Sequence, residues 1–251
     1  MIQQSYAPSQ RATTIIVTGA SSGIGRDIAI ALAKRGSTVV AIGRNRDRLE
    51  RLAADHERIE PWVADIGRIG GLGPLVDDIL ARYGRIDGLI NNAAIQINRR
   101  IDDASYLDAD IASEIEVNLT APMVLARRLL PHLQARMRAV VVNLTSGLAF
   151  VPKRSAAVYS ASKAGLHLFS EGLRVQLRGS NVRVVEAVMP LVDTPMTAGR
   201  GRGKLSSEDA AAAVVAGLWS GPETLYIGKA RLLPTMLRLA PGIAARILQR
   251  D

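Results

Sequence analysis

A tyrosine and a lysine stand one helical turn apart in the segment VYSASK, residues 158–163. Tyr159 by itself is a poor acid or base at neutral pH, because a free phenol titrates near ~10. Lys163 would lie on the same helix face at i+4, where its positive charge would favour the phenolate and lower the pKa of Tyr159. Ser146 precedes the tyrosine by thirteen residues. The pair suits acid–base chemistry but is a weak indication alone, because many surface helices carry Tyr and Lys at this spacing.

A glycine-rich segment, TGASSGIG at 18–25, follows the first β-branched run and opens a helical pattern. Glycines at such a turn let the backbone approach a pyrophosphate at a helix N-terminus. The position after the first strand of a βαβ unit is the context that this motif requires. The spacing is G-x-x-x-G-x-G rather than the commoner G-x-G-x-x-G. The segment predicts a dinucleotide site.

The second predicted strand ends at Gly43-Arg44-Asn45, where a site for NAD usually has a carboxylate for the ribose hydroxyls. Arg44 instead offers a planar donor group suited to a 2′-phosphate, which favours NADP over NAD. The alternative is an exposed arginine at the start of an arginine-rich helix. Asp65, after the third strand, could accept a hydrogen bond from the adenine amino group, and Asn91 and Asn92 could fix the adjoining loop.

Asn118 lies in a long helical pattern, four residues before Pro122. Proline has no N–H and its ring crowds the preceding turn, so we expect a local kink or bulge. The freed carbonyl of Asn118 could then hold a water beside Lys163 and open a proton path to Tyr159. The alternative is a kink that the helix tolerates, in which Asn118 only fills space as a polar side chain.

Short β-branched runs alternate with segments of helical length along the whole chain, which predicts an α/β fold with a doubly wound parallel sheet. Ligands of such sheets bind outside the carboxyl ends of the strands, where the residues above fall. The predicted strands are 13–17, 37–43, 59–63, 87–91, 139–144, 181–188 and 224–228. The predicted helices are 23–35, 45–54, 74–83, 105–136, 156–178 and 206–219.

Taken together, Thr18 to Gly25, the run 91–94 (NNAA), Asn118, Ser146, and Tyr159 with Lys163 resemble the short-chain dehydrogenase/reductase (SDR) family over essentially the whole chain. Four further segments are similar to its DltE-like subgroup: IGRNRDRLE, NNAAIQ, TSGLAFVP and YIGKARLLPTMLRLAP.

The resemblance implies a single Rossmann-type domain over residues 1–251 with a seven-stranded parallel sheet, and the habit of a homodimer or homotetramer. It implies that Tyr159 exchanges a proton with the substrate oxygen, that Lys163 lowers the tyrosine pKa and binds the nicotinamide ribose, and that Ser146 polarises the carbonyl. Asn118 would complete a catalytic tetrad. The implied cofactor contacts are Gly19, Ser21, Ser22, Gly23, Ile24, Gly25, Arg44, Asp65, Ile66, Asn91, Ala93, Tyr159, Lys163, Pro190, Val192 and Thr194.

The chain departs from the family pattern at two places. Ala94 replaces a common glycine and would strain the turn if a positive φ were needed there. Met189-Pro190 replaces the usual Pro-Gly after the sixth strand. Neither change removes a catalytic group.

The resemblance implies a substrate pocket built mainly by loops, including the positions Gln96, Leu148, Phe150 and Lys153 and the lid 191–205. Two segments are candidates for the substrate side. The loop 191–205 contains AGRGRGK, in which Arg200, Arg202 and Lys204 suggest an anionic substrate under a lid; the alternative is a mobile solvated loop. The segment 229–251 is amphipathic and basic. We expect it to pack over a pocket of its own or a neighbouring subunit, or to make weak contact with an anionic membrane surface.

The net charge of +9 is spread along the chain and aromatic residues make up only 4%, so nucleic-acid binding is not expected. No apolar run reaches the ~18 residues of a membrane span, and no signal peptide is visible. Cysteine is absent and the three histidines show no metal-ligand spacing. We expect a cytoplasmic protein without a metal, with residues 1–11 as a flexible lead-in.

These observations predict an NADP(H)-dependent oxidoreductase that interconverts a carbonyl compound and a secondary alcohol. One alternative is a sugar-nucleotide epimerase or dehydratase, disfavoured by the glycine spacing and the absence of a larger substrate domain. Another is a non-catalytic dinucleotide sensor or scaffold, disfavoured because all four tetrad residues are present. A third is a membrane-peripheral oxidoreductase with an anionic or lipid-like substrate.

Overall fold

The computed structural model describes residues 13–249. Within this range, seven strands form one parallel sheet, in the order β3-β2-β1-β4-β5-β6-β7. Every strand is hydrogen-bonded to its neighbours in parallel register. The predicted fold class is therefore confirmed, whereas the predicted flexible lead-in falls on residues outside the described range. The strands are β1 (Thr14–Thr18), β2 (Thr38–Gly43), β3 (Ile59–Val63), β4 (Gly88–Asn91), β5 (Ala139–Ser146), β6 (Val182–Met189) and β7 (Thr224–Tyr226).

Helices cover both faces of the sheet, which is why the central strands read as continuous apolar runs. One apolar layer lies between the sheet and the helices α1, α2 and α7, and the other lies between the sheet and α3, α5 and α6. The helices are α1 (Gly23–Lys34), α2 (Arg46–Ala54), α3 (Leu72–Tyr83), α4 (Asp108–Ile115), α5 (Ala121–Gln134), α6 (Ala157–Gln176), α7 (Ser207–Ala216), α8 (Leu233–Leu239) and α9 (Pro241–Leu248).

The long predicted helix 105–136 is interrupted in its middle. A π-helical turn, Glu116–Thr120, separates α4 from α5. Its last hydrogen bond runs from the N–H of Ala121 to the carbonyl of Glu116, five residues back. Pro122 follows directly, so the predicted local distortion is confirmed. Such turns are rare and are frequently found at functional sites.

The C-terminal segment folds back as the short helices α8 and α9. The chain turns between them at Ala240, whose backbone is non-helical just before Pro241. Leu233 of α8 is buried against Val188 of β6, and Leu248 of α9 packs on the same cluster. No helix within residues 13–249 is long and apolar enough to cross a bilayer.

Candidate active site

A cavity of about 1610 Å³ opens at the carboxyl ends of the strands. The loops after β1, β2, β3, β4, β5 and β6 all contribute to its wall. Pockets for single small molecules usually measure about 300–1,000 Å³, so this cavity has room for a dinucleotide and a second molecule beside it. Its position agrees with the expectation for a doubly wound sheet.

The glycine-rich loop after β1 is held against the loop after β4 at very short range. Gly19 has φ of +69°, and a Cβ there would lie 2.8 Å from the Cα of Ala93. A Cβ on Gly25 would lie 2.4 Å from the carbonyl oxygen of Gly19. The Asn92 amide donates to the carbonyl of Thr18 at 2.9 Å, so Asn92 fixes this loop as expected. The Thr18 hydroxyl, which sequence reasoning missed, accepts from the main-chain N–H groups of Asn92 and Ala93.

The end of the cavity beside β2 is basic. Arg44 is exposed and lines the cavity beside Arg48, and Asn45 caps α2 by accepting from the N–H of Arg48 at 2.9 Å. Gly43 brings β2 close to the glycine loop, since a Cβ there would lie 3.1 Å from the Ser21 side chain. Arg48 is a second cation that the sequence analysis treated only as helix surface; it lies in the first turn of α2, directly after Arg44 and Asn45.

Asp65 is the one carboxylate among the described residues that line the cavity. Its Oδ1 accepts from the main-chain N–H of Gly67 at 3.0 Å, which leaves the other carboxylate oxygen for a ligand. A glycine loop with no room for side chains, a facing pair of arginines and this single carboxylate fit a dinucleotide with an extra phosphate.

Ser146, Tyr159 and Lys163 meet at the cavity wall. Ser146 ends β5 and its Oγ accepts from the N–H of Leu148 at 3.1 Å. Tyr159 and Lys163 lie in the first two turns of α6 and are both buried. The Lys163 ammonium donates to the carbonyl of Leu144 at 2.9 Å and lies 5.8 Å from the centre of the Tyr159 ring.

Burial dominates the electrostatics of this pair. It raises the pKa of Tyr159 to about 12, against the smaller lowering effects of polar interaction with Ser146 and of the positive charge of Arg200. Burial also lowers the pKa of Lys163 to about 8. The expected lowering of the tyrosine pKa by Lys163 is therefore wrong for this structure, because loss of hydration outweighs every nearby charge.

Asn118 is fully buried in the π-helical turn. Its Oδ1 accepts from the N–H of Ile95 at 2.9 Å, and its amide donates to the carbonyl of Ile95 at 2.8 Å and to Ser162 Oγ at 3.1 Å. The side chain thus ties the loop after β4 to α6, and Ser162 is a partner that sequence reasoning missed. The water path from its main-chain carbonyl to Lys163 stays a prediction.

Most of the predicted site residues reach the cavity, but four do not line it. Asn118 joins the loop after β4 to α6, and Gly25 packs against Gly19 behind the glycine loop. Asn91 donates to Asn143 at 2.9 Å inside the sheet, and Val192, at the base of the lid, is buried in the apolar layer that contains α1 and α7. The residues that do line it are Gly19, Ser21, Ser22, Gly23, Ile24, Arg44, Asp65, Ile66, Ala93, Ser146, Tyr159, Lys163, Pro190 and Thr194.

The lid and the C-terminal segment cover the substrate end of the cavity. Leu233 and Met236 of α8 and Leu248 of α9 lie in its wall, so the segment closes over the pocket of its own chain. Of the positions expected to shape the pocket, Gln96, Leu148 and Lys153 line it as well. Phe150 does not; its ring lies 4.7 Å, centre to centre, from His167.

Ala94 lines the cavity without strain. Among the described residues, only glycines have positive φ, so the turn does not require the glycine that is common in the family.

His167 is the one histidine in the described part of the chain that belongs to a group of three possible metal ligands. Ligand atoms of His167, Glu171 and Glu186 lie within 4.8 Å of one another. Glu186 is engaged by His167 at 2.9 Å and by the Thr145 hydroxyl at 2.6 Å, and Glu171 pairs with Arg174. Protein partners therefore account for these groups, and the absence of a metal stays a prediction.

Comparison with known proteins agrees with this geometry. A family model described as short chain dehydrogenase matches residues 13–204. The Bacillus subtilis protein named "Uncharacterized oxidoreductase DltE" is 38% identical over 186 residues, which is 72% of each chain. An uncharacterized oxidoreductase of Staphylococcus epidermidis is 31% identical over 223 residues, covering 87% of this chain and 96% of the relative.

A solved structure is also similar over nearly the whole chain. It is a short chain dehydrogenase from Burkholderia cenocepacia in complex with NADP, with a TM-score of 0.84 and 28% identity, covering 96% of this chain and 98% of that one. The chain therefore belongs to the short-chain dehydrogenase/reductase family, as the resemblance to its DltE-like members indicated.

Proposed function

We propose that the protein is an NADP(H)-dependent oxidoreductase that interconverts a carbonyl compound and a secondary alcohol. One observation carries the proposal. Ser146, Tyr159 and Lys163 line the same cavity as a glycine loop and Arg44, so acid–base groups and a dinucleotide site share one enclosure.

The cofactor would lie along the carboxyl ends of the strands. The glycine loop would receive the pyrophosphate, Asp65 and Ile66 the adenine, and Pro190 and Thr194 the nicotinamide. Arg44 and Arg48 would bind a 2′-phosphate, which supports NADP as the preferred form, and a similar structure holds NADP. When bound, the nicotinamide supplies or accepts the hydride.

Side chains of the protein would transfer the proton that the reaction requires. Because burial raises the pKa of Tyr159 to about 12, the phenol is protonated at neutral pH and is suited to donate to the carbonyl oxygen during reduction. Ser146 would donate a hydrogen bond to the same oxygen as negative charge develops on it. Lys163 would turn from the Leu144 carbonyl toward the nicotinamide ribose. It would then return a proton to Tyr159.

The proposal includes self-association as a homodimer or homotetramer. Leu168 and Val175 are 68% and 63% exposed on α6, and a side chain on Gly172 between them would meet no atom within 4 Å. This unpartnered apolar face is what supports an interface between copies of the chain.

Substitution of Tyr159→Phe tests the proposed chemistry. We expect NADPH oxidation with a panel of aldehydes and ketones to fall by roughly 10²–10⁴-fold, the usual contribution of a general acid. Calorimetric NADPH binding should stay unchanged, because the ring is retained.

The matched control is Tyr83→Phe. Tyr83 accepts a hydrogen bond from Trp62 at 3.1 Å and does not line the cavity, so this variant should keep full turnover. Retained turnover in Tyr159→Phe would contradict the assignment. Normal NADPH binding with no turnover of any carbonyl by the unmodified protein would favour a cofactor-sensing role instead.

A further inference from the structure

The lid, residues 191–205, is closed at its base by main-chain hydrogen bonds. The N–H of Leu205 donates to the carbonyl of Leu191 at 3.0 Å, and the N–H of Asp193 donates to the carbonyl of Leu205 at 2.8 Å. The residues between them therefore form a defined loop over the cavity, which makes the surroundings of each basic side chain informative.

The three cations of the lid have different surroundings. Lys204 pairs with Asp193 at 3.1 Å and donates to the carbonyl of Thr197 at 2.7 Å, so it stabilises the loop. Arg202 is exposed. Arg200 is half-buried, lines the cavity, and acts electrostatically on Tyr159. Its guanidinium forms no hydrogen bond or ion pair with any of residues 13–249.

A half-buried guanidinium without an anionic partner has lost hydration and gained nothing in return. The cavity itself offers it no counter-charge, because Asp65 is the only carboxylate among the described lining residues. Asp65 follows β3 and the lid follows β6, five strands apart in the sheet, which is about 24 Å at about 4.8 Å per strand. No described residue that lines the cavity supplies this anion near the lid, which favours a ligand as its source.

The 2′-phosphate of the cofactor is not that anion. Arg44 follows β2, four strands from β6, or about 19 Å by the same spacing. Arg200 lies instead at the end of the cavity that contains Tyr159. An apolar part of the wall at this end is built by Leu148 together with Leu233, Met236 and Leu248 of the C-terminal segment.

We infer that the substrate is an apolar carbonyl compound that carries a carboxylate, with Arg200 binding the carboxylate and the C-terminal segment covering the apolar chain. This inference rests on the proposed function. The planar guanidinium matches a carboxylate in a bidentate geometry. Arg200 is then a specificity-determining residue, and the remaining lid cations serve the loop itself or solvent.

Decanoate and decan-1-ol are suitable probes, because they share an apolar chain and differ in charge. Each is titrated calorimetrically into the full-length protein saturated with NADP⁺. Three proteins are compared: the unmodified chain, Arg200→Gln and, as the matched control in the same loop, Arg202→Gln. NADPH is titrated into each protein first.

We expect decanoate to bind more tightly than decan-1-ol. Arg200→Gln should weaken decanoate about tenfold or more, in the range of a lost charged hydrogen bond, and leave decan-1-ol unchanged. Arg202→Gln should behave as the unmodified protein. NADPH affinity should be the same in all three.

Equal binding of both probes, or an equal effect of the two substitutions, would overturn the inference while leaving the oxidoreductase proposal intact. A loss of NADPH affinity in Arg200→Gln with decanoate unaffected would assign Arg200 to the cofactor and also overturn it. Absence of NADPH binding by the unmodified chain would instead defeat the proposed function itself, and the inference with it.

Discussion

The pKa values of single residues in this site are shifted more by loss of hydration than by charged neighbours. Tyr159 and Lys163 are both held toward their neutral forms, with the tyrosine pKa raised to about 12 and the lysine pKa lowered to about 8. The tyrosine is thereby kept as a proton donor. The lysine is the more easily switched partner, since its pKa lies close to neutral pH.

Arg44 is the residue that should decide between the two nicotinamide cofactors. We expect Arg44→Ala to cost NADPH binding roughly 1.5–3 kcal/mol, the range for a charged hydrogen bond, with little effect on NADH. Calorimetric titration of both cofactors measures this. Arg46→Ala is the matched control, because Arg46 is exposed, pairs with Glu50 at 3.4 Å and does not line the cavity. An equal loss for NADPH and NADH would remove the phosphate role.

The positions at which strands and helices begin and end determine where these residues lie. β5 ends at Ser146 and α6 brings Tyr159 and Lys163 to the same edge of the sheet. Between α4 and α5 the π-helical turn directs Asn118 at Ile95 and Ser162, so a helix irregularity couples the loop after β4 to the catalytic helix. Strand ends and one distorted turn thus assemble groups that are distant in sequence.

The packing of α1 against the glycine loop can be tested with Gly25→Ala. The added Cβ would lie 2.3 Å from the Asn92 amide nitrogen and 2.4 Å from the Gly19 carbonyl oxygen. We expect a loss of about 1–3 kcal/mol in the free energy of unfolding, as for overpacking, together with weaker NADPH binding. Denaturant titration and calorimetry measure the two effects.

Gly242→Ala is the control for this substitution. Gly242 lies in α9, and a Cβ there would meet no atom within 4 Å. Alanine should therefore be neutral or stabilise the helix by up to about 1 kcal/mol. If Gly25→Ala were equally harmless, the close approach of helix and loop would not be required.

In the whole molecule, the C-terminal segment has an inner side that faces the cavity and an outer side that faces solvent. The inner side closes the cavity, whereas Leu239 and Ile243 are 74% and 53% exposed on the outer side, next to the exposed Arg238 and Arg246. An outer surface that is both apolar and basic supports the proposed weak contact with an anionic membrane.

Vesicle flotation tests this contact on the full-length protein, because deleting the segment would also open the cavity. We expect weak co-flotation with anionic vesicles and none with neutral ones. Leu239→Glu combined with Ile243→Glu should abolish it, and Met137→Glu is the control for a general loss of apolar surface, because Met137 is 93% exposed and lies outside the segment. Equal partitioning of all three proteins would leave the segment as a cover for the pocket alone.

The sequence by itself determined the order of strands and helices, the fold class and most of the site. These depend on local periodicity and on motifs such as TGASSGIG and VYSASK, which are written in neighbouring residues. The kink at Asn118 was likewise predictable, because the missing N–H of Pro122 is a local property.

Tertiary structure alone decided what depends on distance and water. The raised pKa of Tyr159, the bond from Lys163 to Leu144 and the exclusion of Phe150 from the cavity all follow from burial between segments far apart in sequence. The same holds for the different surroundings of Arg200, Arg202 and Lys204, which look alike in AGRGRGK. Periodicity in the sequence indicates which face of an element is apolar. The hydration of a side chain and the charges around it depend on how those faces pack together in the fold.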